Sequence, residues 1–285
     1  MPPEFTAHPP QREHRITLPD GRVLALGEYG AADGIPVIFF AGAASSRTMN
    51  VYGDAAAVRS VRLITFDRPG LGASSPDPAK SAQSVAADLD HALARIDVHS
   101  PVAFANSQGA AFGLATAARG IFSRIALVSP ADELAHPGLS ALLTADVATF
   151  VNRIATDERS MREVLSSFTA ESMMNFVFSG AAPSDAEVFG DDDFRRLYRT
   201  ALDEGFAQGG AGYAQDTIIA STPWRIPEQS VGDVRIWFGA DDTSHSPDQG
   251  EQLAQRCSAM RRVVSGVGGA LAWTHTAEIL DDLLA

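Results

Sequence analysis

Val102-Ala103-Phe104-Ala105-Asn106-Ser107-Gln108-Gly109-Ala110-Ala111-Phe112-Gly113 is the stretch whose reading decides the fold. A short apolar run stops at Asn106-Ser107, and a small-residue run with helical character, Gly109 to Arg119, begins at once. The pattern predicts a buried strand, a tight turn with a serine at its tip, and a helix. Small residues on either side of the serine let strand and helix approach closely, and the turn pushes the hydroxyl out above the sheet edge. The helix N-terminus behind it favours developing negative charge. This is the physical content of the nucleophile elbow, G-x-S-x-G, with Ala105 in place of the first glycine.

Working outward, apolar strands alternate with helices. Arg15 to Leu26 reads as two strands about the Asp20-Gly21 turn. Pro36 to Phe40 is apolar throughout, as a central strand covered on both faces should be, and it ends in the small-residue loop Ala41-Gly42-Ala43-Ala44-Ser45-Ser46-Arg47. A helix is expected from there to about Ser60. Val61 to Phe66 is the next strand. Ser81 to Ile96 carries Val85, Leu89, Leu93 and Ile96 on one stripe and reads as an amphipathic helix. After the serine turn come its helix and the strand Ile125 to Val128. This alternation implies a mostly parallel, doubly covered sheet.

Between about Asp132 and Pro227 only helical patterns occur. Leu139 to Ile154 is apolar on nearly every side, and Phe194, Leu197, Tyr198, Leu202 and Phe206 share one stripe behind Asp191-Asp192-Asp193. The sheet resumes with Val234 to Phe238, followed by a helix from Pro247 to Cys257, a short strand Arg262 to Ser265 and a last helix Trp273 to Leu284. The expected organisation is therefore a loose tail at 1–13, an α/β core at 14–131 and 228–285, and a helical cap at 132–227.

The bulk numbers set limits. With 285 residues, 45% of them hydrophobic, the chain can bury one large core. A net charge of −13 argues against nucleic acid or an anionic membrane as partner. The single cysteine, Cys257, excludes an internal disulfide framework and suits a reducing compartment. The N-terminus lacks the basic and apolar regions of a signal peptide, and no apolar run approaches the ~18 residues of a membrane span, so a cytoplasmic location is expected. No metal-ligand spacing, phosphate loop or dinucleotide fingerprint is visible, and neither cofactor nor metal is expected.

Taken together, the chain resembles the α/β-hydrolase superfamily over nearly its whole length. Four features align in order with a cap-bearing branch whose first loop reads His-Gly-Thr-Pro-Gly-Ser-Arg. They are the turn Asp67-Arg68-Pro69-Gly70-Leu71-Gly72-Ala73-Ser74, the elbow, the cap end Gly212-Tyr213-Ala214-Gln215-Asp216 with Pro223-Trp224, and the acid loop Gly239-Ala240-Asp241-Asp242. The resemblance implies the α/β-hydrolase fold with an inserted cap. It implies Ser107 as nucleophile, and Asp242 as the acid that orients a histidine, with Asp241 a lesser candidate and Asp132 the alternative position. It implies the backbone N–H groups of Gln108 and Ala43 as the oxyanion hole.

The histidine departs from the pattern. Where the family reads Gly-x-Gly-His after the last core strand, this chain reads Gly266-Val267-Gly268-Gly269, and Ala41 stands where the first loop normally has another histidine. A serine hydroxyl without an adjacent base is a poor nucleophile, so the pattern as written does not encode a plain triad esterase. His8 and His14 lie in the tail region, and His91 and His99 read as surface residues. Three histidines could serve as a displaced base: His245, in a loop one residue longer than usual after Asp242, His136, which opens the cap, and His275, at the start of the last helix.

Three functions are compatible with these residues. One is an atypical serine-centred hydrolase or acyl-transfer enzyme acting on a small apolar ester, lactone or thioester. Another is a cofactor-free lyase, cyclase or isomerase that uses the oxyanion hole alone. The third is a non-catalytic binder of a small apolar ligand. In the cap, Met173-Met174-Asn175-Phe176-Val177-Phe178 is expected either to form the cap's own core or to line the pocket, and Tyr213 and Asp216 are candidates to face the cleft.

Overall fold

A computed structural model describes residues 8–227 and 230–285 of the chain. Eight strands form one sheet in the order β1-β2-β4-β3-β5-β6-β7-β8. They are β1 (Arg12–Thr17), β2 (Val23–Tyr29), β3 (Ile35–Phe40), β4 (Val61–Phe66), β5 (Val102–Asn106), β6 (Arg124–Val128), β7 (Asp233–Gly239) and β8 (Met260–Val264). The pairs β1–β2 and β2–β4 are antiparallel, and every later pair is parallel. This is the α/β-hydrolase fold. All strand ends that carry loops of interest therefore point to one edge.

The two faces of the sheet are covered separately. Period-two alternation sends Val37 and Phe39 of β3 to one apolar cluster and Ile38 and Phe40 to the other. Helices α2 (Ala82–Arg95), α3 (Gly109–Ala117) and α10 (Glu251–Cys257) pack on the second face. Helices α1 (Asp54–Val58), α11 (Leu271–Thr274) and α12 (Thr276–Leu284) pack on the first, where the cap joins them. Helix α2 starts at a reciprocal cap between Ser81 and Ser84, the pairing that satisfies two orphan N–H groups.

The cap, inserted between β6 and β7, contains α4 (Ala145–Thr156), α5 (Glu158–Ser166), α6 (Ala170–Ser179), α7 (Ala186–Gly190), α8 (Asp192–Gly205) and α9 (Ala211–Ala220). Asp191 caps α8 by accepting from the Phe194 N–H, and Phe194, Leu197, Tyr198 and Leu202 are buried as the stripe predicts.

Several expectations shift. The sheet begins earlier than expected, because Arg12 bonds the buried Glu28 carboxylate at 2.9 Å and draws residues 12 and 13 into β1. Residues 1–7 of the expected tail, and residue 228 at the expected cap boundary, lie outside the described residues. The helix expected up to Ser60 shrinks to α1, since residues 41–50 run as turns and loop around the serine. In the apolar segment 139–154 the helix starts only at Ala145, and within α4 Ile154 alone is fully buried. Ile154 joins the apolar cluster on the first face of the sheet, and Phe150 both packs against that cluster and lines the cavity beneath the cap.

Candidate active site

Ser107 sits at the tip of the turn between β5 and α3 with φ of +52°. That left-handed conformation is costly for a residue with a side chain and is held by its surroundings. The Ser107 N–H donates to the Val128 carbonyl, and its own carbonyl accepts from the N–H groups of Ala110 and Ala131. Gly109 is required, because a Cβ there would lie 2.3 Å from the Phe40 carbonyl oxygen. The Ala105 departure is accommodated across the helix. A Cβ on Gly113 would lie 2.9 Å from the Ala105 methyl, so the missing side chain at 113 makes room for the extra one at 105.

The loop after β7 supplies both remaining groups. Asp242 is buried, and its Oδ1 accepts from the Ser244 N–H and hydroxyl, each at 3.1 Å. This tight turn brings the chain back within three residues. His245 Nδ1 then lies 2.8 Å from Asp242 Oδ2, and His245 Nε2 lies 3.0 Å from Ser107 Oγ. With the proton on Nδ1 donated to the carboxylate, Nε2 is free to accept from the serine hydroxyl. That assignment follows from the acceptor-only chemistry of Asp242. Burial works to raise the Asp242 pKa, but the charge and N–H of His245 outweigh it and hold the carboxyl well below its usual range. Burial likewise works to lower the His245 pKa, and the Asp242 carboxylate overcomes this and raises it.

The absence of a side chain at Gly269 leaves room for this imidazole. A Cβ at residue 269 would sit 3.1 Å from His245 Cε1 and 3.8 Å from Asp242 Oδ2. The His245 ring borders the space that a side chain at 269 would enter.

Among the described residues, neither the Gln108 nor the Ala43 amide N–H has a hydrogen-bond partner, and both residues line the cavity above Ser107. The cavity holds about 350 Å³. Phe150, Met173, Phe176, Val177, Phe189, Tyr198, Tyr213 and Trp273 form its apolar wall, and among the described residues no lysine or arginine lines it. The cap's methionine-aromatic run divides between the two expected roles. Met173 and Val177 both line the cavity and pack in the apolar cluster, Phe176 lines the cavity alone, and Met174 and Phe178 pack only in the cluster.

The other candidates fall elsewhere. Asp132 does not touch the imidazole. Its carboxylate accepts from Ser246 Oγ at 2.8 Å, and its N–H donates to the His245 carbonyl at 3.0 Å, so it clasps the loop that carries the histidine. Asp241 is exposed at the cavity rim. His136 caps a short helical turn through Gly138 N–H, and His275 pairs with Thr274; neither lines the cavity. Tyr213 faces the cavity as expected, but Asp216 is turned away from it, paired with Arg68 and Lys80. Asp185 and Ser246 carry no motif in the sequence; the buried Asp185 carboxylate accepts from the N–H groups of Gly268 and Ala270 and ties the cap to the loop after β8. Contacts between segments so far apart in the chain leave no periodic signal. Among the described residues, no group of three or more His, Cys, Asp or Glu could hold a metal, and no helix is long and apolar enough to cross a membrane.

A sequence model of the alpha/beta hydrolase family matches residues 37–279. No curated protein matches the sequence. Solved structures similar to the chain include a bromoperoxidase from Bacillus anthracis, 18% identical with a TM-score of 0.67 over 96% of this chain and 98% of that one. An esterase from Exiguobacterium antarcticum is 15% identical with a TM-score of 0.68 over 95% and 97%. An N-acyl homoserine lactone degrading enzyme is 15% identical with a TM-score of 0.66 over 94% and 99%. At these identities the likeness is one of fold.

Proposed function

The chain belongs to the alpha/beta hydrolase family, and from that footing we propose that it is a serine hydrolase or acyl-transfer enzyme for small, apolar, uncharged esters, lactones or thioesters. One observation carries the reading: the unbroken line from Ser107 Oγ to His245 Nε2 at 3.0 Å and from His245 Nδ1 to Asp242 at 2.8 Å. In this reading His245 takes the serine proton as Ser107 attacks the carbonyl carbon. Asp242 holds the tautomer and stabilises the imidazolium that forms. The Ala43 and Gln108 N–H groups receive the developing oxyanion. His245 then returns the proton to the leaving group, and water repeats the sequence on the acyl-enzyme.

The substrate limits follow from the cavity. Its volume is at the small end for ligand sites. Asp185, Asp241 and Asp242 are its charged side chains, with no cation to balance an anionic substrate. Membership of the cap-bearing branch is supported by the first loop, which keeps that branch's glycine, serine and arginine at Gly42, Ser46 and Arg47. The readings without acyl chemistry rest on the absence of a histidine at residues 41 and 269, and the His245 ring 3.0 Å from Ser107 Oγ favours acyl chemistry over them.

Treatment with a fluorophosphonate, read by intact mass, tests the proposal. One equivalent is expected on the parent and none on Ser107→Ala. A parent that stays unlabelled while hydrolysing none of a panel of short-chain p-nitrophenyl esters sinks it.

A further inference from the structure

Among the described residues Arg68 is the largest fully buried side chain, and the line from Ser107 to Asp242 does not use it. Its guanidinium is forked onto three acceptors. Nη1 donates to the Ala41 carbonyl at 2.7 Å, Nη2 to the Gly42 carbonyl at 2.9 Å, and Nε to Asp216 Oδ2 at 2.7 Å. The guanidinium carbon lies over the Phe112 ring, 5.0 Å from its centre, on the helix that follows Ser107. Arg68 thus touches the first loop, the serine helix and the cap at once.

The Gly42 carbonyl matters because of what shares its peptide. A trans peptide sets C=O and N–H in opposite directions. The N–H opposite the Gly42 carbonyl is that of Ala43, one of the two unpartnered donors above Ser107. Gly42 lies against the serine: a Cβ there would be 3.4 Å from Ser107 Cβ. A guanidinium bonded to the carbonyl end fixes the plane of this peptide, and its charge polarises the N–H at the other end.

Asp216 belongs to α9 of the cap, and its second oxygen is paired with the buried Lys80 ammonium, which also donates to the Pro69 carbonyl at 2.6 Å. The same loop seats the cap in other ways. A Cβ on Gly212 would lie 2.2 Å from the Gly70 carbonyl oxygen, and Gln208 donates to the carbonyls of Gly72 at 2.8 Å and Ser74 at 2.7 Å. Where the cap sits therefore decides where Asp216 sits, and Asp216 holds the third arm of the fork.

We infer that Arg68 is a positioning residue of the oxyanion hole, holding the Gly42–Ala43 peptide with its N–H toward the substrate carbonyl, and that Asp216 makes this geometry depend on a seated cap. The inference rests on the hydrolase reading. Lysine at 68 keeps a charge for Asp216 but cannot fork onto two carbonyls.

The test uses Arg68→Lys and Asp216→Asn, a short-chain p-nitrophenyl ester as substrate, and a trifluoromethyl ketone of the same acyl chain, whose serine adduct carries an oxyanion. Thermal unfolding reports which variants fold. For Arg68→Lys, kcat is expected to fall on the order of 10²-fold, the cost of losing one oxyanion donor, with KM within about threefold. Affinity for the ketone should fall by about the same factor. Asp216→Asn, which leaves the two carbonyl contacts in place, should show the same pattern at about tenfold, and it decides the matter if Arg68→Lys does not fold. A folded Arg68→Lys with kcat within threefold of the parent overturns the inference. So does a loss of kcat with ketone affinity unchanged, because the defect then lies outside the oxyanion hole. A parent inert toward both ester and fluorophosphonate removes the hydrolase reading beneath it, and the parent's own turnover tells the two failures apart.

Discussion

The loops after β7 and β8 both line the cavity above Ser107 and supply it unequally. The loop after β7 carries acid and imidazole together, three residues apart, clasped from below by Asp132. The loop after β8 carries neither, and its backbone N–H groups bind Asp185 of the cap. Its glycines suit that work, since a Cβ on Gly268 would lie 2.6 Å from both Ala182 and Asp185. What the geometry fixes for the imidazole is a point in space, beside Ser107 Oγ and Asp242, rather than a place in the chain order.

The contrast between the two loops is greatest at the imidazole. His245→Ala is expected to cost on the order of 10⁶ in kcat, the loss seen when a serine protease is deprived of its histidine. Adding Gly269→His to that variant should restore at least about tenfold by supplying a ring from the opposite loop, as the 3.8 Å approach of a residue-269 Cβ to Asp242 allows. Steady-state ester hydrolysis measures both. Full activity in His245→Ala would mean that the base lies elsewhere.

Asp242→Asn comes next, with an expected fall of about 10⁴ in kcat, because an amide cannot hold the tautomer or offset the imidazolium charge. Its pH profile sharpens the assignment. His245 accepts a proton only when neutral, and Asp242 raises its pKa above the ordinary 6.5. In the parent, kcat/KM should therefore rise with pH about a midpoint above 6.5. In Asp242→Asn the midpoint should move down, since burial then acts on the imidazole without an opposing carboxylate. An unmoved midpoint would assign the titration to another group.

What the chain order could reveal tracks how local each cause is. The apolar strands, the small residues around Ser107 and the unpartnered N–H groups of Ala43 and Gln108 follow from neighbours within a few residues, and each was legible. Asp242 was legible from its loop. The Asp242–His245 pair is local too, and its signal was the one extra residue that lets an Asx-type turn fold the imidazole onto its own acid. Gly269 pointed the other way, because an absent side chain does not say what fills its place. Arg68 with Asp216, Asp132 with Ser246, and Asp185 with Gly268 join segments distant in the chain. Only the folded sheet edge brings them together. The half-exposed helix α4 was obscured for a related reason: an apolar surface looks the same in sequence whether it meets a core or a cavity.

Gly269→Ala is the finest test of the contrast between the two loops. The new methyl would press on His245 Cε1 from 3.1 Å, a distance at which the ring must give by a few tenths of an ångström. The ring has little freedom to do so. Ser107 and Asp242 hold its two nitrogens, and Asp132 holds its backbone. Since a displacement of about 1 Å can cost 10²-fold, a shift of this size should lower kcat by about three- to tenfold and leave KM nearly unchanged. Stability should not fall with it. The residue has no left-handed backbone to strain, and replacing glycine at a compatible position removes freedom from the unfolded chain. A variant that melts no earlier than the parent yet acylates more slowly would mark the space at 269 as reserved for the imidazole of the other loop. A variant with undiminished turnover would show that His245 works from some other position.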